Sequence, residues 1–143
     1  MNNGEIVGKV HSSMYHQLQK TGIATPVNAL MDLGVLAEAD YENWRYGRVD
    51  YLERVCKVNL HKLAFIMKEV RAYARKNGLK PSWTFYKQWG RKNKPNIKLR
   101  FSKSGDEGIE RNYATHYVSA RLAAERNQNN RVDDERQPLT ETE

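Results

Sequence analysis

Apolar positions along the chain fall into short helical stripes and one strand-like alternation, separated by glycine and proline stops. The clearest stripe is Leu60, Leu63, Met67, Val70 and Ala74, spaced to lie on one face of a helix. Asn59 suits its N-cap, where a side-chain oxygen accepts from the unpaired N–H groups of the first turn. Gly78 and Leu79 fit a Schellman ending, and Pro81 prevents continuation, so the pattern predicts a helix over 59–77.

Weaker signals surround it. Thr25-Pro26 reads as a cap followed by a first helical residue, with Val27, Leu30, Met31 and Leu33 on one side and Gly34 as the stop. A helix over 37–46 ends at Gly47 and lets Tyr41 and Trp44 share a face, although Ala37 stands where a polar cap is expected. Val49, Leu52, Val55 and Cys56 predict a short helix over 49–57, and Met14, Tyr15 and Leu18 another over 11–20. Residues 1–10 hold two glycines and little periodicity, and read as a flexible arm.

Ile97, Leu99 and Phe101 alternate with Lys98, Arg100 and Ser102, which predicts a half-buried strand. The stretch from Trp83 to Trp89 is rich in strand formers, with a short helix between Ser82 and Gly90 as the alternative. Residues 90–95 make a basic, turn-forming connection, so 82–104 reads as a β-hairpin with a positive tip. Asp106 can cap a last helix over 106–127, its inner face formed by Ile109, Tyr113, His116, Tyr117, Ala120 and Ala124. Residues 128–143 are polar and acidic with almost nothing apolar to bury, which predicts a disordered tail.

The fold class expected is therefore α+β: a mostly helical single domain over 11–127 with one β-hairpin. Helices followed by a hairpin with a charged tip is also the layout of a winged helix, though no helix-turn-helix sequence stands out. A chain of 143 residues suits one domain. No stretch approaches the ~20 apolar residues needed to span a bilayer, which excludes an integral membrane protein. One cysteine, Cys56, excludes an internal disulfide and a Cys-rich metal site. The N-terminus lacks a basic region followed by an apolar run, so a cytoplasmic setting is expected.

Charge sharpens the picture. Residues 1–53 carry −3, residues 54–104 carry +14 and residues 105–143 carry −4, within a net +7. The middle block holds fifteen Lys/Arg against one acid, Glu69. Such a block repels itself unless it meets a polyanion. Interleaved aromatics, with Trp83 between Lys80 and Lys87, suit stacking on bases, whereas Trp44 and Trp89 read as core. The bland reading is a solvated basic face over a core of aromatic residues.

The candidate nucleic-acid contacts are Lys68, Arg71, Arg75, Trp83, Lys87, Arg91, Lys92, Lys94, Lys98, Arg100 and Lys103. The loop Ser102-Lys103-Ser104-Gly105 precedes a helix start, where amides and dipole favour an anion, but it lacks the G-x-x-x-x-G-K-[ST] pattern. The four histidines show no metal-ligand spacing, and no carboxylate cluster supports a nuclease. His116 reads as a hydrogen-bonded core residue and Cys56 as a buried, inert thiol, despite Arg54 and Lys57 nearby.

The segments 40–54 (DYENWRYGRVDYLER), 78–90 (GLKPSWTFYKQWG), 99–105 (LRFSKSG) and 113–118 (YATHYV) together resemble a family of small uncharacterised bacterial proteins, over roughly residues 25–118. The resemblance implies a bacterial or phage-related origin and carries no activity, fold or ligand. The residues themselves point to a non-enzymatic protein that binds DNA or RNA through a basic helix and basic hairpin, with no cofactor, no metal and no membrane. The runner-up is a regulator or inhibitor that docks its basic block on an acidic protein surface.

Overall fold

A computed structural model describes residues 1–90 and 97–129. In chain order it contains α1 (Asn3–Thr21), β1 (Ile23–Ala24), α2 (Pro26–Asp32), α3 (Glu38–Arg45), a 3-10 turn (Leu52–Val55), α4 (Leu60–Lys76), β2 (Lys80–Trp83), α5 (Glu107–Ala114), β3 (Thr115–Val118) and α6 (Ala120–Asn129). The fold is α+β and mostly helical, as expected.

Local chemistry explains the helix ends. Asn59 Oδ1 accepts from Lys62 N at 2.8 Å and starts α4. The Leu79 N–H reaches Ala74 O at 2.9 Å across Gly78 (φ 63°), the predicted Schellman closure. Thr25 Oγ1 accepts from Asn28 N at 3.1 Å ahead of Pro26. Ala37 heads α3 without a side-chain cap hydrogen bond.

Three expectations are corrected. Residues 1–10, read as an arm, form the first half of α1. Asn2 and Glu5 close a reciprocal capping box, and Ile6 and Val10 continue the buried stripe of Met14 and Leu18. The helix over 49–57 is shorter, a single 3-10 turn. The helix over 106–127 breaks after Ala114, and Thr115–Val118 enters the sheet as its central strand.

The sheet order is β1-β3-β2, antiparallel throughout, with Ala24 opposite Tyr117 and Trp83 opposite Thr115. The central strand is buried at Thr115, His116 and Tyr117 in succession, so its sequence shows no alternation to read. The predicted hairpin is present only as a narrow ladder. Lys87 lies opposite Lys98, flanked by Gln88 N to Ile97 O and Leu99 N to Tyr86 O, both 2.8 Å. The front of the stretch, β2, pairs with β3 instead, and residues 84–114 join the two strands where a winged-helix layout has a tight wing.

The core is one cluster. Trp44, fully buried, donates Nε1–H to Arg100 O at 2.8 Å and packs on Phe101 and Tyr86. Phe101 stacks on Tyr113 with 2° between the rings. Arg45 is also fully buried. Its guanidinium lies 4.5 Å from the Trp89 ring and 5.0 Å from that of Tyr86, and donates to Tyr41 Oη and Lys87 O. It thereby ties α3 to the Lys87 strand. The acidic tail over 128–143 lies outside the described residues beyond Asn129, where α6 ends.

Candidate nucleic-acid interface

β2 is an edge strand with all four residues exposed, and Pro81 sits there without disturbing a ladder. Trp83 ends β2, and Phe85 and Lys87 follow it on alternate positions. Trp83 is 50% exposed and Phe85 38%. Their rings lie 6.3 Å apart. Arg111 of α5 places its guanidinium 5.1 Å from the Trp83 ring, and Lys98 Nζ lies 5.8 Å from that of Phe85. Because the flanking hydrogen bonds make Lys87 and Lys98 a non-hydrogen-bonded pair, their side chains leave the same face close together. Like charges directly opposite destabilise a ladder, and an anion between them removes the penalty.

The result is a surface row of Arg111, Trp83, Phe85, Lys98 and Lys87, in which cations and aromatic rings adjoin. A cleft beside it is lined by Trp83, Phe85, Lys98 and Arg111, with Glu107 and Glu110 on its α5 wall. Glu110 is occupied internally: its carboxylate accepts from Phe101 N, Ser102 N and Ser102 Oγ. Arg111 was missed in the sequence because it lies outside the basic block and meets Trp83 through tertiary contact alone.

The remaining candidates divide. Lys68 and Arg75 are exposed on α4. Arg71 and Lys103 line a groove on the other flank of α5, away from the aromatic row. Arg100 is exposed, with its guanidinium engaged by its own loop. It donates Nε–H to Ser102 O at 2.8 Å and NH2 to Lys103 O, with its guanidinium 5.4 Å from the Tyr51 ring. Arg91, Lys92 and Lys94 lie outside the described residues. Elsewhere in the basic block, Arg54 pairs with Asp50 at 2.9 Å, and Lys62 holds Met1 O and Asn3 Oδ1.

The loop 102–105 does not cradle an anion. Ser102 Oγ receives Gly105 N, Ser104 Oγ receives Asp106 N, and Asp106 caps Ile109 N, so the chain's own oxygens fill the start of α5. α2 and α3 follow one another through a short turn at Gly34, but α3 exposes Glu38 and Glu42, which repel phosphate.

His116 and Cys56 are shaped by burial. His116 is buried and pairs with Tyr86 Oη at 3.3 Å, and burial lowers its pKa to about 4. The Cys56 thiol is pushed up to about 12 by burial, with Glu53 and Asp40 adding to the rise. Among the described residues no group of three or more His, Cys, Asp or Glu is arranged to hold a metal ion. No described helix is long and apolar enough to cross a membrane. Set against protein families, curated proteins and solved structures, the chain matches none.

Proposed function

We propose that this protein is a non-enzymatic nucleic-acid-binding protein whose contact surface is the row Arg111–Trp83–Phe85–Lys98–Lys87. The observation that carries the reading is the pair of exposed rings, Trp83 and Phe85, each next to a cation. Bases offer a π-face to such rings at roughly 1–3 kcal/mol per stacked base, while adjacent cations neutralise phosphates. Stacking needs unpaired bases, so the reading favours single strands over duplex. Lys68 and Arg75, exposed on α4, supply a second set of phosphate contacts, and the basic connection with Arg91, Lys92 and Lys94 extends the first in sequence.

Retardation of single-stranded and duplex DNA and RNA of random sequence tests this. Single strands are expected to bind tightest, and Trp83→Ala to weaken binding by about tenfold with the fold intact, as the loss of one stacked base predicts. Equal affinity of wild type and Trp83→Ala for every nucleic acid would overturn the stacking surface. A stoichiometric protein complex that survives nuclease and high salt, with no retardation, would favour docking on an acidic protein instead.

A further inference from the structure

The groove on the far flank of α5 from the aromatic row has a different chemistry. Its volume is about 690 Å³, and it is lined by Leu60, Ala64, Met67 and Arg71 of α4 and by Ile109, Asn112 and Tyr113 of α5, with Glu53, Lys103 and Ser104 completing the wall. That size falls within the range of small-molecule sites, which are mostly apolar with a few placed polar groups. Leu60 is 53% exposed and Ile109 39%, so apolar surface faces solvent on both walls. On α4 the residues 60, 64, 67 and 71 follow one helical face. The apolar part, Leu60 to Met67, runs about 10 Å along the axis and then meets the Arg71 guanidinium one turn on.

The charged groups on the groove are Arg71, Lys103 and Glu53. Glu53 is already satisfied: one carboxylate oxygen accepts Lys103 N at 2.9 Å and the other accepts the Tyr113 hydroxyl at 2.8 Å. Burial above all, then the Glu53 charge and that same hydrogen bond, hold the Tyr113 phenol far above its usual range, so it stays a donor to Glu53. Glu53 keeps its negative charge but turns both oxygens to those donors, so Arg71 and Lys103 leave the groove net positive toward a ligand.

We propose that this groove binds a single-chain amphipathic carboxylate, with the chain along Leu60, Ala64, Met67 and Ile109 and the carboxylate on Arg71 and Lys103. The site is independent of nucleic-acid binding at the aromatic row. The test is calorimetric titration of the intact chain with decanoate below its micelle concentration, alongside decylamine, which has a chain of the same length and the opposite charge. Saturable one-site binding of decanoate and none of decylamine is expected. Arg71→Gln should weaken decanoate by about tenfold, the effect of losing one charge-assisted hydrogen bond. Ala64→Trp, at an exposed position, should fill the groove and abolish binding. Trp83→Ala should leave decanoate affinity unchanged, which separates this site from the nucleic-acid reading. Absence of saturable decanoate binding, equal binding of decylamine, or indifference to both Arg71→Gln and Ala64→Trp would overturn the proposal. So would capture of an acidic amphipathic peptide at this groove in place of decanoate.

Discussion

His116 shows how a single side chain can be legible in kind while its consequence depends on packing. An apolar neighbourhood already suggested a core histidine. The strand that carries it and its Tyr86 partner emerge only on folding. With a pKa of about 4 in the folded chain against ~6.5 when unfolded, the neutral ring is favoured by the fold. Above about pH 6.5 both states hold the neutral ring and the group contributes no slope. Between pH 6.5 and 4 the unfolded chain binds the extra proton, so stability falls as pH falls, by up to about 3 kcal/mol. Chemical denaturation at pH 7, 5.5 and 4 is expected to show this loss in wild type and a markedly smaller one in His116→Gln. Parallel curves for the two proteins would exclude His116 as the source.

Elements explain why the cations are where they are. α4 was readable from its stripe, cap and Schellman closure because each signal is local. β3 was not, since a central strand buried on both faces loses the period-two pattern. The start of α1 was missed because Gly4 and Gly8 dilute a stripe that Ile6 and Val10 carry. Pairing of β2 with β3 leaves a short ladder at Lys87 and Lys98, and this sets two ammonium groups on one face. Lys87→Glu converts that repulsion into an attractive pair. It is expected to raise folding stability by about 0.5 kcal/mol, seen in the denaturation midpoint, while weakening nucleic-acid binding. A purely structural lysine would not move the two measurements in opposite directions.

At the scale of the molecule, the described cations of the middle third do not share one uniform basic face. α5 divides it, with Trp83, Phe85 and Lys98 on one flank and Arg71 and Lys103 on the other. If Lys87, Lys98 and Arg111, together with Lys68 and Arg75 on α4, each neutralise one phosphate of a single strand, the logarithm of affinity should fall against the logarithm of salt with a slope of about −3.5. A titration series across salt concentrations measures it, and a slope near zero would remove the phosphate contacts. Residue types and near neighbours alone specified the caps at Thr25, Asn59 and Asp106, the α+β class and the density of positive charge. Residue order could not say which cations are engaged within the fold and which meet aromatic rings or a groove at the surface. Arg100 clamps its own loop, Arg71 turns to a groove, and Arg111 joins a tryptophan from outside the basic block. The meeting of Arg111 with Trp83 depends on β2 pairing with β3 and not with its neighbour in sequence, a long-range register held by backbone hydrogen bonds that leave no periodic trace in the order of the residues.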